Sequence, residues 1–499
     1  MTNFFKKKSF QYGTAAVLLV AVVLAVVIVF NVLLSLFSSH FGWYADISSS
    51  GLFGFSEESL DLLDTVDGEK NELTLYFLVD ENTLSASDYG KFILGLTTEL
   101  ENRYDFFSVK HFSNINKDLF DIGAVYGDKY FEQFQKMYDA GEFAPGTVIL
   151  RNDTYLLKDN GDFELGITGE PRRDYRVTTF SINDLYSETT NAFLGEFVLT
   201  GRILGICRST VPAYVLCGHG DVSLKDDGDF GNAELLVDLL ENSGYQPEKL
   251  NLSEKNFPPD RLKASVAVIF APRYDLTDTE IERLKTYIAE GGNLMVFTDG
   301  VYYRLDKLNA LLSGYGIDVM NAKVQASSDA SLGDNGFTFV PRVDWTSPVL
   351  SGVLDQERKL LIASCRLLKT DSAKGAEALL LPPASYTAVG VDTETSERDA
   401  VAAISKGEAR GSVFVSGAAT LASSPIYSQT YHNRDILLSV LADMGAENTP
   451  KNLEIKTLAD DGLDLTKGEA TLLSVLVSVL PALIVTVIGT VIFVRRKRS

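Results

Sequence analysis

The sequence predicts an α/β protein held to a membrane at both ends by single helices. Residues 15–37 and 471–494 contain no ionisable side chain. At 1.5 Å per helical residue, each run is long enough to cross a hydrocarbon layer of roughly 30 Å. Between them, short apolar runs alternate with amphipathic spacings, the pattern of a parallel sheet with helices on both faces.

Flanking charge orients the two runs. Lys6, Lys7 and Lys8 precede the first, and Arg495, Arg496, Lys497 and Arg498 follow the second. Basic residues beside a span stay on the cytoplasmic side. Both termini are therefore expected inside at the cell membrane, with the body between them extracytoplasmic. An uncleaved anchor is preferred to a signal peptide, because the apolar run is too long and its exit lacks a small-residue cleavage site. Trp43 and Tyr44 read as interfacial anchors.

The formal net charge is −22, and the seven flanking basic residues leave −29 for the rest of the chain. Such a surface stays solvated and repels itself, and it argues against a nucleic-acid partner. Three cysteines, Cys207, Cys217 and Cys365, have no CxxC spacing, and the four histidines do not cluster with them. Neither a disulfide framework nor a zinc site is indicated, and no cofactor is expected. No G-x-x-x-x-G-K-[ST] sequence is present, so any ATP hydrolysis by a P-loop belongs to a separate subunit.

Residues 1–14 are assigned to a cytoplasmic N-terminus, 45–158 to a first domain, 159–204 to a connection and 205–446 to a second domain. Residues 447–470 form a linker and 495–499 a basic cytoplasmic tail. In the first domain, Ser56 caps a short helix and residues 73–79 form a strand. Ser87 opens a helix with Ile93, Leu96 and Leu100 inward. Residues 107–112 form a second strand. Residues 147–150 and 155–157 read as a hairpin turning at Asn152-Asp153. This order has a thioredoxin-like outline, but no cysteine precedes Cys207, so thiol redox chemistry is excluded there.

The second domain is clearer. Residues 213–217 form a strand that runs into Gly218-His219-Gly220-Asp221. A helix over 234–242 is capped by Gly244. Strands follow at 266–271 and 294–298, separated by a helix that the Thr277/Glu280 capping box opens. A further strand, 412–416, precedes a helix from about 434 to 444. In such folds, ligands bind at strand carboxyl ends. Here those ends carry His219 and Asp221, then Arg273, then Asp299.

The order of Gly195-Glu196, the strand into Gly218-His219-Gly220-Asp221, Pro272-Arg273-Tyr274-Asp275-Leu276-Thr277, Gly291-Gly292-Asn293-Leu294 with Asp299, and Asn433-Arg434-Asp435 resembles the Gldg family. These are auxiliary membrane components of ABC-type transport systems, of the gliding-motility-associated type. The last acid of the Gly-His-Gly motif is Asp here where the family pattern has Glu. The resemblance implies a thioredoxin-like N-terminal domain and a second domain akin to class I glutamine amidotransferase folds. It also implies partnership with a permease and a separate ATPase subunit at the lipid bilayer. No catalytic residues carry over.

His219, Asp221, Arg273 and Asp299 are thus candidate ligand or partner contacts. His219 reads either as a ligand-contacting or acid–base group, or as a turn histidine that fixes a sharp loop; the latter is preferred, since no partner set is identifiable. Cys217 beside His219 raises a Cys–His nucleophile. An amidotransferase elbow, however, needs Gly-x before the cysteine, and Val215-Leu216 stand there, so a buried strand-end residue is expected. The acidic loop Asp226-Asp227-Gly228-Asp229 lacks the oxygen spacing of an EF-hand. The leading expectation is a non-catalytic auxiliary transport subunit with an extracytoplasmic binding domain. The alternatives are a cell-surface hydrolase or amidotransferase-like enzyme using Cys217 and His219, and a structural surface protein without a transporter.

Overall fold

The first sheet forms around a strand in which every residue is buried. In the computed structural model, β1 (Leu73–Phe77) lies between β2 (Phe107–His111) and β3 (Thr147–Tyr155), with β4 (Arg173–Ser181) at the far edge. β1 runs parallel to β2 and antiparallel to β3, and β3 runs antiparallel to β4. The structure describes residues 54–457 apart from 88, 113–142, 156–164, 166–168, 170–172, 188–191, 208–210, 226–228, 260–261, 263, 328–329, 334, 352, 354–358, 408–409, 428–430, 432 and 446–455. All described residues fall in one unit, Leu52–Asp460.

Helices α1 (Glu57–Leu63), α2 (Glu81–Ser85), α3 (Gly90–Arg103) and α4 (Gly195–Cys207) accompany this sheet. Ser56 caps α1 by accepting a hydrogen bond from the Ser59 amide. In α3, Ile93, Leu96 and Leu100 are buried at the spacing of one helical face.

The expected hairpin does not form. Residues 147–155 make one continuous strand, and Asn152 and Asp153 are buried within it. Asn152 Nδ2 donates to Asn71 Oδ1 at 2.8 Å and to the Ile206 carbonyl at 3.1 Å. Asp153 pairs with Arg151. Two turn-forming residues are thus accommodated inside a strand because distant groups satisfy them.

The main sheet has eight strands. In chain order they are β5 (Val211–Leu216), β6 (Tyr245–Leu250), β7 (Val266–Phe270), β8 (Asn293–Phe297), then the short Arg342–Val343, Ala376–Leu381, Ala402–Gly407 and Arg410–Ser416. β6, β5, β7, β8 and Arg410–Ser416 lie side by side in parallel. The other three continue the sheet antiparallel. The expectation of a parallel sheet is therefore corrected to a mixed one. A second four-stranded sheet is built on Ile317–Ala326.

Period-two alternation explains the two cores. Val215, Val268, Met295 and Phe414 join one apolar cluster; Tyr214, Ala267, Val296 and Val415 join the other. The inner parallel strands β7 and β8 are buried on both faces, as unbroken apolar runs require. Helices α5 (Glu234–Glu241), α6 (Asp278–Ala289), α7 (Asp306–Gly314) and α8 (Asn433–Asp443) complete the described fold. Both bonds of the capping box form at α6: Glu280 N donates to Thr277 Oγ1, and Thr277 N donates to Glu280 Oε2.

The membrane-anchored architecture is also corrected, and with it the cell-membrane localisation. Among the described residues no helix is long and apolar enough to cross a membrane. The longest described helix, α3, has 14 residues and spans about 21 Å, short of a hydrocarbon layer of roughly 30 Å. The apolar runs 15–37 and 471–494 lie outside the described residues.

Candidate functional site

Four parallel strands end at one place, and their following loops enclose a cavity of about 500 Å³. The loop after β5 contributes Asp221. The turn after β7 contributes Ala271 and Arg273, and the turn after β8 contributes Asp299 and Gly300. The loop after Arg410–Ser416 contributes Ala419, Thr420 and Ser423. Asn232, Glu234 and Leu235 at the start of α5 form another wall, and Ala363 and Ser364 close the remaining side.

The backbone here is tightly constrained. Gly220 has φ +138°, and a Cβ on it would lie 2.9 Å from Arg273 Cβ. A Cβ on Gly300 would lie 2.1 Å from Ser364 Oγ. Ala271 and Ser364 hold φ of +43° and +52°, a region that costs a residue with a Cβ roughly 1–2 kcal/mol. Both line the cavity.

Asp221 is the polar centre of the wall. Its side chain is 6% exposed. Oδ1 accepts from Asn232 Nδ2 at 2.9 Å and lies 3.5 Å from Arg273 Nη2. Oδ2 is buried with no hydrogen-bond partner among the described residues. Asp299 Oδ1 accepts from the Val301 amide at 2.9 Å. Behind Asp299, the buried Arg366 guanidinium sits over the Tyr302 ring, 5.0 Å from its centroid. Burial pulls this guanidinium below its ordinary pKa, against the opposing influence of Tyr302 and Asp299.

The structure brings together three of the four residues singled out in the sequence: Asp221, Arg273 and Asp299. His219 is not part of the cavity lining. Its Nε2 lies 3.1 Å from Glu280 Oε1, and its carbonyl accepts from the amides of Arg273 and Tyr274. Burial pushes the Glu280 carboxyl up, but bonds from Thr277 and the neighbouring His219 hold it below its ordinary value. His219 therefore ties the loop after β5 to the start of α6. Cys217 is buried, 4% exposed. Among the described residues no group of three or more His, Cys, Asp or Glu is placed to hold a metal ion.

Residues 213–346, which include most of β5, all of β7 and β8 and three of the loops that frame the cavity, match the family described as ABC-type uncharacterized transport system. The matched region is that of an auxiliary ABC-transport component. No curated protein sequence matches the chain. Among solved structures, the mmIFT52 N-terminal domain is similar at 18% identity and a TM-score of 0.35, over 48% of this chain and 99% of that one. The exo-beta-1,4-mannosidase Op5Man5 from Opitutaceae bacterium strain TAV5 is similar at 13% identity and a TM-score of 0.26, over 45% and 34%. A ThuA-like protein from Bacteroides uniformis is similar at 11% identity and a TM-score of 0.26, over 42% and 82%.

Ser364 and the 419–423 segment of the cavity wall were not among the sequence candidates. They come from chain segments more than sixty residues beyond Asp299, outside the matched region. The one sequence signal was the strand ending at Ser416, whose carboxyl end joins the other parallel strands.

Proposed function

We propose that this chain is a non-catalytic auxiliary subunit of an ABC-type transport system, and that the cavity at the strand carboxyl ends is where it engages a substrate or partner of the transporter. The observation that carries this reading is the match of residues 213–346 to the auxiliary family over the segment that supplies Asp221, Arg273 and Asp299. A cavity of about 500 Å³ falls in the range of small-molecule sites, roughly 300–1,000 Å³. The chain has no P-loop sequence, so the reading includes a permease and a separate ATPase as partners.

The test is affinity purification of the full chain from detergent extracts, with and without chemical crosslinking, and identification of the proteins that accompany it. Recovery of a permease and an ATPase in fixed ratio is the expected result. Absence of both after crosslinking would refute the transport reading.

A further inference from the structure

We propose that the cavity binds a neutral polyhydroxylated ligand, a saccharide ring, through Asp221 and Arg273. This rests on the reading of the cavity as the working site of the auxiliary subunit. Asp221 Oδ2 is a buried carboxylate oxygen on the wall with no donor among the described residues. An unmade hydrogen bond at a buried charged group is costly, so the geometry calls for a donor from the cavity. A cation and a hydroxyl could each supply one.

Arg273 decides between them. Its guanidinium lies 3.5 Å from the other oxygen of the same carboxylate and already supplies a counter-charge to Asp221, so a second cation at Oδ2 would meet like charge there, with Glu234 and Asp299 of the described lining the only opposing pull. A hydroxyl meets no such opposition. It donates to Oδ2 while a neighbouring hydroxyl oxygen accepts from Arg273, and adjacent hydroxyls on a ring offer both together. Asn232, Ser364 and Ser423 add polar groups around this pair, and Phe270 and Leu235 add apolar surface for the face of a ring.

Isothermal calorimetry on the full chain tests the proposal with D-glucose, D-mannose and maltotriose, and with spermidine and inorganic phosphate as charged controls. Saturable binding of at least one neutral sugar at millimolar concentration or below is expected, with neither control competing. Preference for maltotriose over glucose would mark the end of a longer glycan as the source; equal binding would mark a free sugar. Asp221→Asn keeps the side-chain shape and should weaken binding about tenfold or more. Arg273→Gln, at a half-exposed side chain, should also weaken it, and Glu248→Gln on the exposed edge of β6 should not. Circular dichroism verifies that each variant is folded.

Silence with all three sugars overturns the proposal, as does spermidine binding in their place or unchanged sugar affinity in both cavity variants. Co-purification separates the two readings. Silent sugars, with loss of permease and ATPase in Asp221→Asn, would make the cavity a protein-docking site and leave the transport reading standing. Sugar binding that Asp221→Asn weakens, without any transport subunit recovered, would leave the ligand class standing and remove the transporter.

Discussion

Lys456→Met should be among the most destabilising single changes in the chain, although Lys456 is remote from the cavity lining. Its ammonium is 2.8 Å from Glu196 Oε2, with side-chain exposures of 6% and 2%, and it also donates to the Gly54 carbonyl. Glu196 Oε1 accepts from the Ser56 amide at 2.8 Å, the Ser59 hydroxyl at 2.5 Å and the Ser56 hydroxyl. One carboxylate at the start of α4 thus holds the segment that enters the described fold and the strand residue at its far end. Burial pushes the Glu196 carboxyl up. The charge of Lys456, with hydrogen bonds from Lys456, Ser56 and Ser59, outweighs it and holds the group below its ordinary value of 4.5.

Removing one partner of a buried ion pair costs about 3–5 kcal/mol, because the other charge stays buried without compensation. In Lys456→Met the serine donors remain and partly solvate the carboxylate, which places the expected loss near about 3 kcal/mol. Glu196→Gln removes the carboxylate that faces Lys456, and its loss should be of similar size. The double variant Glu196→Gln/Lys456→Met removes both charges and should recover most of either loss. Urea denaturation followed by circular dichroism measures all three. In the wild type the contribution is present above pH 4.5 and disappears as pH falls through the lowered folded value. Single variants within about 0.5 kcal/mol of wild type, or a double variant as unstable as the sum of the singles, would refute the reasoning.

Val296→Asp should abolish folding, since Val296 is fully buried between Ile269 and Val415 and an unpaired buried charge costs several kcal/mol; loss of the circular dichroism spectrum checks it. Asp238→Asn should flatten the pH dependence of stability. Burial, then repulsion from Glu241, Asp184 and Glu234, raises the Asp238 carboxyl from 3.8 to about 7, against the pull of Arg202. The folded protein keeps this proton where the unfolded chain loses it, so wild-type stability falls as pH rises from 3.8 to about 7, and thermal melts across that window should show a steeper slope in wild type than in the variant. Cys365 should resist a thiol reagent until the protein unfolds, because burial pushes its thiol far up and it is fully enclosed; mass spectrometry of labelled peptides should find Cys207, the partly exposed cysteine, modified first.

The legible parts of the fold are those decided within a few residues. The capping box at Thr277 and Glu280 forms as its spacing requires, and the unbroken apolar runs at 266–270 and 293–297 are adjacent parallel strands. β6 was not legible. Its alternating exposure, with Pro247 in the middle, belongs to an edge strand whose outer side needs no partner. The antiparallel half was hidden for a related reason: Ala376–Leu381 and Ala402–Gly407 are short and rich in alanine, with little to separate them from a helix. Asn152 and Asp153 have turn chemistry locally, and only Asn71, Ile206 and Arg151 make them strand residues.

The same division runs through the site. Asp221, Arg273 and Asp299 each follow an apolar strand directly, so a rule about strand carboxyl ends finds them with no knowledge of contacts. What those residues can do is decided elsewhere. Asp221 becomes buried because Gly231 and Asn232, on the far side of an acidic loop, fold back onto it. Arg273 approaches its first oxygen, and its second has no hydrogen-bond partner among the described residues. His219 has the residue type of a site but not the placement, since Glu280 sits on the helix that its own capping box starts. Glu196 is the converse case. Its partners, Ser56, Ser59 and Lys456, lie more than a hundred residues away on either side, so an acid after a glycine carries no local sign of the charge it must meet. Local spacing places a group at the site; only tertiary contact determines whether that group is engaged by the fold or free for a ligand.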